Sequence, residues 1–194
     1  MANIKLGGTV VASESSGTVT LAGTIGSGVT FPSGHILQVQ STIITSTSIS
    51  MSADQTWEDV PGLSIALTPL EADSDFWVQA ICSMGGQANF EGVFKVLRKR
   101  NANAWEDDLK GDSNGSAERA TAPGFYDTQN AGDCIQRTIS LVDKNKSYTV
   151  GTDAMQYKIQ WWTWGSDVYL NRTPNSGGEN STGLTSLIVA ELKG

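Results

Sequence analysis

The dominant period along the chain is two. Residues 36–51, ILQVQSTIITSTSISM, place Leu37, Val39 and Ile43 on one side of an extended segment with mostly polar residues opposite, the alternation of a half-covered β-strand. A turn at 52–55 leads to TWEDV, then Pro61-Gly62, then LSIALTPL. Further strands are predicted at Asp75–Met84, Gly92–Arg98, Cys134–Val142, Met155–Trp164, Asp167–Asn171 and Leu184–Leu192, bounded by turn formers. Many short strands with such punctuation are the pattern of a sandwich or barrel.

Two regions depart from that period. Residues 3–31 alternate small β-branched pieces with Gly and Ser and hold few bulky apolar side chains, too few to bury the surface that independent folding requires. Short β pieces of this kind can instead pair their edges with another chain, so residues 1–34 are read as an extended assembly arm or short stalk. The Phe31-Pro32-Ser33-Gly34 turn marks the boundary, and residues 35–194 form the head. The second departure, residues 101–133, lacks clear alternation. A stretch of that length is expected to be functional or to carry short structure that the pattern does not reveal.

Composition agrees with a turn-rich β protein, since only 17% of residues are charged and 21 are Gly. The formal charge of -7 repels phosphate backbones, which argues against a nucleic-acid partner; the one basic cluster is Arg98-Lys99-Arg100. Neither an apolar run of signal-peptide length at the start nor an apolar run of membrane-spanning length is present. The expectation is a chain made and kept in a cytoplasm, or released by lysis, without membrane insertion. Cys82 and Cys134 sit in strand-like apolar runs, far apart in sequence, and read as reduced, buried thiols.

The order FPSGHILQVQST, WEDVPGLSIALTPL, YKIQWW, VYLNR and SLIVAELKG resembles a group of small virion proteins of marine and freshwater bacteriophages, described variously as tail fibre, head fibre or decoration proteins. The similarity spans about residues 31–194. It implies an all-β, jelly-roll-like antiparallel β-sandwich, trimeric in the manner of C1q and tumour-necrosis-factor heads, located on the virion and assembled in the host bacterial cytoplasm. Other phage virion proteins would be met through residues 1–34. The basic trio and the acidic Glu106-Asp107-Asp108 give the middle segment more charge than the group shows.

Residues that carry chemistry are sparse. The single histidine, His35, follows Gly34 far from any nucleophile partner, which argues against Ser-His or Cys-His catalysis. One His and two apolar-flanked Cys cannot supply a zinc set, and Glu106-Asp107-Asp108 with Asp112 lacks the spacing of a calcium loop. No phosphate-binding glycine loop occurs, and no pair among the 20 acidic residues stands out for glycoside cleavage. The reading is a non-enzymatic protein with no cofactor, catalytic or metal residue; a depolymerase is the enzymatic rival.

The aromatic residues offer more. On a strand over 155–164, Trp162 and Trp164 share one face, while Trp161 joins Tyr157 and Ile159 on the other. One face then feeds the core and the other a trimer interface or a sugar-stacking platform. With Trp105, Phe125 and Tyr126 of the middle segment, Trp164 makes up the candidate contact surface, facing a host surface glycan or a virion lattice. The leading expectation is a trimeric fibre head, with a capsid decoration protein or a carbohydrate-binding module as alternatives.

Overall fold

The computed structural model describes residues 2–6, 9–15, 18–21, 32–52, 55–86, 90–113, 115, 119–127, 134–144, 148–174 and 182–194, and among these every regular element is a β-strand. The chain divides into two units, Met1–Pro32 and Ser33–Gly194.

In the first unit, β1 (Ala2–Leu6), β2 (Thr9–Ser15) and β3 (Thr18–Leu21) form an antiparallel meander in the order β1-β2-β3, with an irregularity between Ile4 and Lys5. The β-branched pieces read from the sequence thus pair with one another, in place of a single extended run.

The second unit contains β4 (Ile36–Ile44), β5 (Ser50–Met51), β6 (Glu58–Leu67), β7 (Asp75–Gly86), β8 (Phe90–Arg100), β9 (Ala122–Asp127), β10 (Cys134–Asp143), β11 (Met155–Trp164), β12 (Val168–Leu170) and β13 (Thr185–Leu192). They form two antiparallel sheets in a curled, sandwich-like arrangement. The first runs β4-β13-β7-β12-β5, with β10 along the other side of β7; the second runs β6-β11-β8-β9. The core between them holds Leu63, Phe76, Val78, Met84, Val96, Tyr157, Ile159, Trp161, Leu187 and Val189, all nearly inaccessible. Their placement follows from alternation: β7 reads half-buried and buried in turn from Asp75 to Cys82, and β11 does so from Met155 to Trp161.

One expectation is corrected. The long strand over 36–51 ends at Ile44, because buried Asn171 draws the chain aside: its Nδ2 donates to the carbonyls of Ile44 (2.7 Å) and Ser46 (3.1 Å). Pro61-Gly62 forms an irregularity within β6, where Lys158 pairs Ser64 and Gln160 pairs Asp59, with Gly62 at φ 79°. Proline is tolerated there because β6 is an edge strand. The segment 101–133 carries short structure of its own, the second of the two alternatives read from sequence, since β9 pairs β8 and Arg98 forms a β-bridge with Glu106.

Buried Glu191 fixes the turn between β6 and β7. Its carboxylate accepts from the Leu70 and Glu71 amides (2.9 and 3.1 Å), Ser74 Oγ (2.7 Å) and Gln38 Nε2 (2.6 Å). Four donors on one inaccessible carboxylate are what makes its burial tolerable.

Candidate contact surfaces

The edge of the second sheet is held by ion pairs that reach into the core. Arg98, on the inward face of β8, is 1% exposed. Its Nη1 donates to Asp143 Oδ1 at 2.6 Å, and its Nη2 donates to Glu106 Oε2 and Asp108 Oδ2, each at 2.6 Å. Tyr157 Oη donates to the other Asp143 oxygen at 2.8 Å. One guanidinium therefore links a strand of the second sheet, the last residue of β10 in the first, and the segment after β8. Burial works against the arginine charge, but the bonds and charges of these carboxylates outweigh it and raise its pKa. Burial and the Asp143 charge likewise push the Tyr157 phenol well above its usual value.

Two further contacts fasten the same segment. Arg100 Nε donates to Glu106 Oε1 at 2.7 Å, and Asp107 Oδ2 accepts from Lys95 (3.1 Å) and Lys110 (2.6 Å). Burial tends to raise Glu106 and Asp107, yet hydrogen bonds from Arg98 and Arg100 to the first, and from Lys110 and Lys95 to the second, hold both below their ordinary 4.5 and 3.8. A carboxylate depressed in the folded state adds stability that is complete above its unfolded pKa and lost as pH falls through the folded one. Urea unfolding should accordingly show constant stability between pH 6 and 8 and a decline that begins below about pH 4.5. A flat profile down to pH 3 would show that these pairs contribute nothing.

The outward face of the second sheet carries most of the tryptophans. Trp162 pairs Val93 and Trp164 pairs Glu91 across β11 and β8. Trp57 precedes Glu58, the partner of Trp161, and so falls on the same side as Asp59. Trp162 is 8% exposed and Trp164 43%, with Trp57 and Trp105 between. Lys95 Nζ lies 4.2 Å from the Trp57 ring centre, and Lys158 Nζ lies 4.4 Å from that of Trp105, both in cation–π range. Asp59 accepts from Lys158 (2.8 Å) and Gln160 (2.7 Å). Burial raises Asp59, but these two bonds hold it below its usual value.

Of the four residues singled out from sequence, Trp105 and Trp164 lie towards opposite ends of one sheet face. Tyr126 pairs Glu91, as Trp164 does, and Phe125 pairs Gly92, so the backbones of all three stand at one end of the sheet. The side chains of Phe125 and Tyr126 lie outside the described residues. Trp105 sits at the other end, above Lys158, which is six positions from Trp164, or about 20 Å of strand. Trp57 was missed; its i, i+2 spacing from Asp59 was the available signal.

The outward face of the first sheet was missed altogether. Its cross-strand rows are Ile43–Ser186–Ile81–Thr138, Ser41–Ile188–Gln79–Ser140 and Val39–Ala190–Trp77–Val142. The Leu37, Val39 and Ile43 side of β4 thus looks away from the core, with Val39 51% and Ile43 62% exposed and Val142 47%. Trp77 Nε1 donates to Ser140 Oγ at 3.0 Å within this face. None of the twelve residues is charged. The outward face of the second sheet, by contrast, carries Asp59, Glu91, Lys95, Lys99 and Lys158.

Among the described residues no group of three or more His, Cys, Asp or Glu side chains is placed to hold a metal ion. His35 stands exposed immediately before β4, its carbonyl accepting from the Lys193 amide at 2.8 Å. Comparison of the chain with protein-family models and with curated proteins finds no match.

Proposed function

We propose that this chain is a non-enzymatic structural module of a bacteriophage particle, a homotrimeric fibre head attached through residues 1–34. The observation that carries the reading is the twelve-residue uncharged patch on the outward face of the first sheet, which Asp75 borders one row beyond Trp77. In a chain of net charge -7, a surface free of formal charge is where identical copies can meet without repulsion, and an exposed apolar patch of this kind marks an interaction site. Its Ser, Thr and Gln side chains each donate and accept, so they can pair with copies of themselves.

The size is adequate. Four strands at about 4.8 Å spacing, each about nine residues long, span on the order of 600 Å² in projection, close to the roughly 800 Å² each partner gives to a standard interface. The number three comes from the resemblance of residues 31–194 to phage fibre and decoration proteins. A strand order of β4-β13-β7-β10 against β6-β11-β8-β9 supports the jelly-roll form of that reading.

Antibody against the head should label the surface of intact particles that encode the chain, and deletion of residues 1–34 should abolish incorporation while the remaining chain keeps its oligomeric mass. Label confined to the unassembled fraction of a lysate would overturn the virion assignment.

A further inference from the structure

We infer that the outward face of the second sheet is a binding site for a neutral oligosaccharide chain. The assignment stands independently of how many copies assemble, because every element of it lies on one chain.

Four of the six tryptophans belong to this face: Trp57, Trp105, Trp162 and Trp164. A core does not need them there, since the space between the sheets is filled by Trp161 and its neighbours. Trp162 is covered, but Trp164 is exposed and Trp57 and Trp105 are partly exposed. Flat indole rings on an outward surface match the apolar face of a pyranose ring, which presents a patch of C–H groups between its hydroxyls. Lysine ammonium groups set two of these rings in place, Lys95 at Trp57 and Lys158 at Trp105. Rings held in this way give contact area with little ordering cost.

Between the rings lies a polar set of the kind that reads vicinal hydroxyls. Asp59 stands between Lys158 and Gln160, joined to both by hydrogen bonds, and so presents a carboxylate, an amide and an ammonium side by side with capacity left over on each. The arrangement spans the strand from Lys158 to Trp164, about 20 Å, a length that accommodates several linked sugar rings rather than one. Charge selects a neutral ligand. Lys95 and Lys158 are each bonded to a carboxylate, Asp107 and Asp59, and Lys99 shares the face with Glu91, so charges of both signs are interleaved and neither a polyanion nor a polycation is favoured.

The test uses the full chain and soluble neutral oligosaccharides of bacterial envelope type, first surveyed on an array and then measured one at a time by calorimetry, so that multivalency does not enter. Wild type is expected to bind at least one of them. Trp164→Ala and Trp105→Ala should each weaken that binding tenfold or more with melting temperature little changed, Gln160→Ala should weaken it as well, and Val150→Ser, in a turn elsewhere, should not. A survey with no neutral oligosaccharide bound, or affinity undiminished in both tryptophan variants, would overturn the inference. A monomeric chain that still binds would contradict the proposed assembly and leave this site standing.

Discussion

Replacing Arg98 with alanine is expected to destabilise the second unit by about 3–5 kcal/mol, the cost of removing one partner of a buried ion pair. The Asp143 carboxylate is 2% exposed and would keep only the Tyr157 hydroxyl among the bonds described above. For a unit of this size each kcal/mol shifts the melting temperature by about 2–4 °C, so calorimetry should record a fall of roughly 6–20 °C. Arg98→Lys should recover little, because a single ammonium cannot reach Asp143, Glu106 and Asp108 from the three directions the guanidinium uses. The double variant Arg98→Met with Asp143→Leu should regain much of the loss, since it removes both buried charges together. If Arg98→Ala melts within about 2 °C of the parent, a shift worth under 1 kcal/mol, the pair is not the clasp between the sheets described here.

Val39→Glu combined with Ile43→Glu should dissociate the assembly while leaving the chain folded. Both positions are more than half exposed on the isolated chain, and exposed substitutions away from caps and networks usually change stability by under about 0.5 kcal/mol. In the assembled form every copy would bring two carboxylates to one shared, water-poor surface, and like charges juxtaposed across an interface cost several kcal/mol. Light scattering should therefore report a single chain whose circular dichroism matches the parent. Replacing Val150, a partly exposed residue in a turn, with glutamate should leave the assembled mass intact. Variants that stay fully assembled would place the interface elsewhere.

Much of the sandwich was legible because alternation survives wherever one side of a strand is core. Strands β7, β11 and β13 stand close to their predicted bounds, and the division of Trp161 from Trp162 and Trp164 follows from the two-residue period alone. Where a strand lies at an edge the signal fails. β9, APGFYD, has a proline, a glycine and no alternation, and it exists because β8 offers an unpaired edge. β4 misleads in another way: its apolar side faces outward, and Gln38 on the other side is consumed by Glu191. The ion cluster was unreadable for a different reason. Arg98 and Asp143 are 45 positions apart, and nothing local tells a buried arginine from the solvated basic run in which it sits.

In the proposed trimer, identical chains meet through the uncharged face of the first sheet. Sedimentation equilibrium of the full chain at micromolar concentration tests it most directly. The expected result is a single species of three times the chain mass of 20.6 kDa, falling to one chain mass in the Val39→Glu, Ile43→Glu variant. A parent protein that sediments at 20.6 kDa over the same range would contradict it.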